Sequence, residues 1–353
     1  MLAELVASCR RIALVGLAKN TGKTVALTTL IRELRERGET VGVTSIGRDG
    51  EEHDAIDFRI DKPRIALRSG DLLATTDALL AASGLPYALL EETDVRTPLG
   101  RVRVARLEAD GEIEVAGPSA GEQLRSVCES MLANGASRTL IDGAIDRRAA
   151  ASPRVADGLI LATGAVLGAT VEDIVLATRR AVELLRLPVL APERAAELEP
   201  YGRPGGDGAL VDAAGAARPL PPRFALTAGR AEIDALLEGN ADAQRLVVAG
   251  AVTEAFLTDL AGALRARRRE LALTAVDPTH IFLGSREPGW LRRQGLELST
   301  LAGIELVALT VNPVAPMSHR VESRELRAAI GEAVKGVPVI DVLHPEYRGS
   351  ADA

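Results

Sequence analysis

Arg11-Ile12-Ala13-Leu14-Val15-Gly16-Leu17-Ala18-Lys19-Asn20-Thr21-Gly22-Lys23-Thr24 opens the chain with a strand, a glycine-bounded loop and the start of a helix. Arg11 to Val15 is a short apolar run of the kind that forms a buried strand, and a glycine-bounded segment follows at once. From Thr24 to Arg37 the apolar positions Val25, Leu27, Leu30, Ile31 and Leu34 recur at helical spacing, and Gly38 ends the run. Val41 to Ser45 reads as the next strand. A helix of that length between two strands suits a parallel crossover, so the chain opens as an α/β sheet protein.

The segment Gly16 to Thr24 has the chemistry of a phosphate grip. Backbone N–H groups at the start of a helix are unpaired and carry the positive end of the helix dipole. Glycines let such a loop curl until successive N–H groups converge on one anion. Lys23 would add a point charge at the β- and γ-phosphates, and the Thr24 hydroxyl would ligate Mg²⁺. Gly16, Lys19, Asn20, Thr21, Gly22, Lys23, Thr24 and Val25 are therefore the candidate nucleotide contacts. Lysine is scarce in this chain: Lys19, Lys23, Lys62 and Lys335 are the only four among 42 basic residues. Two of the four fall in this one loop, a placement that a bias toward arginine does not explain. The spacing departs from the common motif, because five residues rather than four separate Gly16 from Gly22.

Further along, Thr139-Leu140-Ile141 reads as a strand that ends in Asp142-Gly143-Ala144. A carboxylate there would lie near the loop as a Mg²⁺ ligand or catalytic group. Thr44-Ser45-Ile46-Gly47-Arg48-Asp49-Gly50-Glu51-Glu52-His53-Asp54 follows the second strand, where a switch segment would fall. Asp49 and Asp54 are both candidates to hold Mg²⁺ or a lytic water, and Arg48 and Arg147 are candidates to meet phosphate. Lys23, Asp49 and Asp142 are the candidate catalytic set; Thr24, Asp49, Asp54 and Asp142 the candidate metal set. No Asn-Lys-x-Asp guanine reader is present, which favours ATP over GTP. Asn312-Pro313 ends a later strand and is a candidate for an adenine edge.

The expected fold class is α/β: a mostly parallel P-loop NTPase sheet with an inserted β-hairpin and a second parallel α/β half. Residues 1–190 form the nucleotide-binding half, with the hairpin near 99–117 turning at Asp110-Gly111. Residues 46–75 read as irregular. Pro192, Pro200, Pro204, Gly205, Gly206, Gly208, Pro219, Pro221 and Pro222 mark 191–223 as a linker. Residues 224–353 form the second half, with strands at 245–249, 270–276, 305–311 and 337–342. Its helices are expected at 253–267, 289–301 and 323–334. The polar clusters Thr253-Glu254, Asp277-Pro278-Thr279-His280 and Asn312-Pro313 at its strand ends are read first as helix caps, with a second binding surface as the alternative.

Bulk properties narrow the function. Aromatic residues are 2% of the chain and the formal charge is −7, which argues against nucleic acid as a partner. The basic run Arg265 to Arg269 is read as a solvated helix end. Cys9 and Cys128 fit no metal or redox spacing. No membrane span or signal-peptide order is visible, and a cytoplasmic location is expected.

These segments together resemble a narrower family. The loop 16–24, Thr44 to Glu51, Leu99-Gly100-Arg101-Val102, Ala116-Gly117-Pro118, Ile141 to Ala144 and Leu161-Ala162-Thr163-Gly164 are similar to the KamB-type subunits of the lysine 5,6-aminomutase reactivating factor. The five-residue loop spacing also resembles dethiobiotin synthetase, in the branch that includes the MinD-type ATPases. The resemblance implies a chaperone-like ATPase that uses ATP and Mg²⁺ to exchange damaged corrinoid on an adenosylcobalamin-dependent aminomutase. It implies a MutS-related partner ATPase subunit as well as the mutase. The alternative is an ATP-dependent small-molecule ligase or kinase of the dethiobiotin synthetase type, but such enzymes are shorter and have no such second half.

Overall fold

The computed structural model describes residues 1–47, 64–143, 148–203, 206, 208–284, 286–316, 319–344 and 347. The chain forms two compact units, Met1–Arg179 with Glu305–Ala353, and Arg180–Ile304. In the first, α1 (Leu2–Leu5) leads to β1 (Arg11–Gly16), α2 (Lys23–Glu36) and β2 (Val41–Ser45). Next come β3 (Ile65–Leu67), β4 (Leu72–Thr76), α3 (Asp77–Ser83), β5 (Tyr87–Thr97), β6 (Gly100–Leu107) and β7 (Gly111–Ile113). Then follow α4 (Gly121–Ala133), β8 (Arg138–Gly143), β9 (Gly158–Gly164) and α5 (Val171–Leu185), within which the unit boundary falls.

The second unit holds α6 (Pro192–Leu198), β10 (Ala209–Asp212), β11 (Ala217–Pro219), α7 (Phe224–Thr227), α8 (Arg230–Glu238) and β12 (Ala243–Val248). It continues through β13 (Val252–Thr253), α9 (Glu254–Arg267), β14 (Leu271–Ala275), β15 (Ile281–Phe282), α10 (Pro288–Arg293) and β16 (Leu296–Thr300). The chain then returns to the first unit with β17 (Leu306–Asn312), α11 (Ser323–Ala333) and β18 (Val339–Ile340).

The α/β expectation holds at the level of class. A nine-stranded sheet runs β18-β17-β9-β1-β8-β2-β4-β6-β5. From β18 to β4 all neighbours are parallel, and only β6 and β5 run antiparallel to their neighbours. Every residue of β9 is buried, as is all of β1 after Arg11, the signature of strands covered on both faces. Leu27, Leu30, Ile31 and Leu34 of α2 are fully buried in the core with Ile12 and Leu14 of β1. Each such side chain stabilises the fold by about 1.5–3 kcal/mol. The second unit has its own core and a five-stranded sheet ordered β11-β10-β12-β14-β16.

Several expectations need correction. Residues 305–353 do not belong with 224–304: β17 pairs with β9 and β18 with β17, so the 180–304 unit is inserted into the first. The Pro/Gly-rich stretch 191–223 is not a linker. Pro192 occupies the first turn of α6, where its missing N–H costs nothing, and β10 and β11 pair in the second sheet. The hairpin is β5–β6, not a turn at Asp110-Gly111. Gly100, at φ 115°, makes its turn, while β7 pairs with β3. It widens the main sheet rather than standing apart from it. Within 46–75, β3 and β4 are regular strands whose three and five residues are too short for a clear alternation. The helix expected at 289–301 stops at Arg293, because Gly295 adopts φ 85° and Leu296 starts β16.

Cys9 and Cys128 are free and buried. Burial raises both thiols, Cys128 to about 12, so neither is a nucleophile at neutral pH. No helix among the described residues is long and apolar enough to cross a membrane.

One acid-sensitive tie closes the sheet near its amino ends. Asp157 accepts from the Arg11 N–H at 2.8 Å and the Arg10 N–H at 3.0 Å, and pairs with the Arg11 guanidinium at 2.6 Å. Partial burial pushes its carboxyl up, but the bonds and charge of Arg11 and the Arg10 N–H outweigh that and hold it below the ordinary carboxylate value. A lowered folded pKa adds stability above the unfolded value, which is lost as pH falls through the folded one. Asp157→Asn is therefore expected to lower stability at neutral pH and to flatten the acid limb of the pH–stability curve. Denaturant titrations from pH 7 down to pH 3 check this; parallel curves for the two proteins would remove Asp157 as the cause.

Candidate functional site

Five parallel strands deliver their carboxyl ends to one edge of the large sheet. In register, Leu14 of β1 lies beside Asp142 of β8, Ser45 of β2 lies beside Asp142, Gly16 beside Ala162 of β9, and Gly164 beside Asn312 of β17. In open α/β sheets this edge, where successive strands depart to either side, is the place for a ligand. Here the chain leaves β1 for β2 on one side, while β9 and β17 lie on the other.

The loop after β1 is shaped by backbone constraints. Leu17 donates its N–H to the Ala162 carbonyl at 2.8 Å, and the buried Thr21 donates its hydroxyl to the Ala18 carbonyl at 3.0 Å. Asn20 and Gly22 both lie in the left-handed region, at φ 66° and 84°. A Cβ on Gly16 would sit 2.5 Å from the Thr21 hydroxyl oxygen, so the loop closes this tightly only over glycine. Gly22 is the N-cap of α2, and among the described residues no side chain caps the helix. The first N–H groups of α2, from Lys23 to Val25, are thus left for an anion.

The described candidate residues divide by position. Lys23 reaches across to an ion pair with Asp142, 119 residues away and part-buried like its partner. Thr24 lies in the first turn of α2, half-buried, and no described group bonds its hydroxyl. Val25 packs its side chain on the core, leaving only its main chain for a ligand. Lys19 and Asn20 are exposed at the loop's tip. Asp49, Asp54 and Arg48 lie outside the described residues, as does Arg147, so their roles remain sequence-based.

The Asp142 carbonyl accepts from the Ser45 hydroxyl and the Ile46 N–H, both at 3.1 Å, which fixes the strand end bearing the carboxylate. Gly47 donates to Pro118 at 2.8 Å, and a Cβ on Gly117 would lie 2.1 Å from the Ser45 carbonyl. The Thr44–Gly47, Ala116–Pro118, Ile141–Gly143 and Leu161–Gly164 segments therefore meet at this edge.

Asn312, read from the sequence as a candidate for an adenine edge, plays a part here that its sequence position did not disclose. Its amide Nδ2 donates to the Asn20 carbonyl at 2.8 Å, its Oδ1 accepts from the Val314 N–H at 3.1 Å, and its Cβ packs against Gly22. It clamps the loop from a strand end 292 residues downstream of Asn20. No local signal could have found this, because only the pairing of β17 with β9 brings it there. In the second unit, Thr253 caps α9 and Asp277 caps the turn Pro278–His280, as expected from their sequence.

The donor set suits phosphate and a hard cation. Lys23 and the helix N–H groups match anionic oxygens, while the Asp142 carboxylate and Thr24 hydroxyl are oxygen donors of the kind Mg²⁺ takes alongside phosphate oxygens and water. Among the described residues no cluster of three or more His, Cys, Asp or Glu could hold a metal without such help. Compared with protein-family models, curated proteins and solved structures, the chain matches none.

Proposed function

We propose that this chain is a Mg-ATP-binding P-loop subunit that acts on a partner enzyme. The observation that carries the reading is the glycine-shaped loop between β1 and α2, with Lys23 held against Asp142 of the adjacent strand. Gly16 and Gly22 shape the cradle; Lys23 and the first-turn N–H groups take the phosphates. Thr24 and Asp142 would hold Mg²⁺, which supplies charge neutralisation at the transferring phosphate. With nucleotide bound, Lys23 would face phosphate rather than Asp142, and that carboxylate would be able to hold the metal. The segment beyond Gly47, with Asp49 and Asp54, is the proposed switch.

The narrower proposal rests on the resemblance described above. The chain is a reactivating subunit for an adenosylcobalamin-dependent aminomutase, working with a MutS-related ATPase, in the cytoplasm. Support comes from the gathering of four of the resembling segments around the loop 16–24 at one sheet edge. The test is ATP-dependent retention of a lysine aminomutase or the MutS-related subunit on the immobilised chain, with Lys23→Ala as control. Retention independent of nucleotide, or stoichiometric ATP turnover by the chain alone with a small carboxylate or amine, overturns it.

Asn312→Ala removes one hydrogen bond that holds the loop. A net loss of about 1 kcal/mol corresponds to roughly fivefold weaker ATP binding, with the fold unchanged. Calorimetric titration checks this, and an unchanged affinity would show that Asn312 is not needed to hold the loop.

A further inference from the structure

Between the end of α9 and the end of α10 lies an open groove of about 410 Å³, lined by Leu264, Arg265, Arg268, Arg269, Glu270 and Arg293, together with Gln294 and Gly295. On a chain of net charge −7, it gathers four guanidinium groups against the single carboxylate of Glu270. Nearby arginines are used up structurally. Arg267 pairs with Asp234 and Glu238, and Arg269 donates to the carbonyls of Leu237, Asn240 and Ala243. The other three are not. Arg265 makes a single 3.4 Å contact with the Gln294 side-chain oxygen, and among the described residues neither Arg268 nor Arg293 is joined to a carboxylate.

A second observation concerns the backbone. Arg268 ends α9 at φ 50°, ψ 43°, the left-handed position that glycine normally fills. An L-residue there costs on the order of 1 kcal/mol, so the position holds a guanidinium at the expense of stability. Gly295, at φ 85°, lets its backbone close on Arg269, where a Cβ would lie 2.8 Å from the Arg269 carbonyl, and Leu271 donates to the Gly295 carbonyl at 2.9 Å.

We propose that this groove binds a small phosphate-bearing anion through Arg265, Arg268 and Arg293. The planar guanidinium fork matches phosphate oxygens two at a time, and the volume lies in the range of small-ligand sites. The arginine run read from sequence as a solvated helix end is thereby given a ligand. The site belongs to the inserted unit and does not depend on the nucleotide reading above.

The test uses the full chain carrying Lys23→Ala, so that the loop after β1 does not contribute, and pyrophosphate as probe. Calorimetry is expected to show one saturable site that weakens with added salt. Affinity should fall about tenfold or more in Arg293→Gln and again in Arg268→Gly. Arg268→Gly also relieves the left-handed strain, so its thermal midpoint should hold or rise while affinity falls, which separates ligand loss from misfolding. The proposal is overturned if pyrophosphate shows no saturable binding, or binds all variants equally. It is also overturned if an acidic peptide binds through these arginines while pyrophosphate does not compete.

Discussion

Lys23→Ala is expected to weaken ATP binding on the order of 100-fold, measured by calorimetry with Mg²⁺ present. Two effects add. On the proposed reading the ammonium lost would be a charge-assisted donor to phosphate, worth about 1.5–3 kcal/mol. Its removal also leaves the Asp142 carboxylate, part-buried and otherwise neutralised by Lys23, facing the incoming phosphates. The same loss of counter-charge predicts that Asp142→Asn in the Lys23→Ala background regains part of the affinity at low Mg²⁺. A Lys23→Ala protein that binds ATP within about threefold of wild type would remove the loop from the proposed function.

The largest expected effect on stability lies elsewhere in the same unit. Arg35 of α2 and Asp71, just before β4, form an ion pair in which the side chains are only 14% and 6% exposed. Asp71 also accepts the Arg68 N–H at 2.8 Å. Asp71→Ala strands a buried guanidinium, which costs about 3–5 kcal/mol. Arg35 is already poorly satisfied: among the described residues its buried Nε has no partner, and its one other hydrogen bond is to the Ala66 carbonyl at 3.4 Å. Chemical denaturation measures the loss. The exposed pair Arg32–Glu36 on the same helix is the comparison, and Glu36→Ala should cost less than about 0.5 kcal/mol. Equal losses in the two variants would show that burial does not set the strength of the Arg35–Asp71 tie.

These two ion pairs differ in how far the sequence discloses them. Arg32 and Glu36 can be paired on sight, because four residues along a helix bring side chains together. Lys23 and Asp142 could be nominated separately, each from its own strand and turn, but their meeting depends on β8 lying beside β1. Arg35 and Asp71 carry no local signal at all; the pair exists because α2 packs where β4 begins.

Local chemistry determined the β1–loop–α2 unit by itself. An apolar run, the 3.6-residue periodicity of Val25 to Leu34 and the stop at Gly38, which indeed lies at φ 76°, act over a few residues and need no distant partner. Capping by Thr253 and Asp277 was legible for the same reason. Tertiary structure alone decided which sheet each strand joins. A strand buried on both faces, such as Leu306 to Asn312, has the same apolar pattern whether it sits in the first sheet or the second. Its choice of β9 makes 180–304 an insertion and carries Asn312 to the loop. Strand pairing is set by backbone hydrogen bonds and core volume across hundreds of residues, and neither quantity is written in a local stretch of sequence.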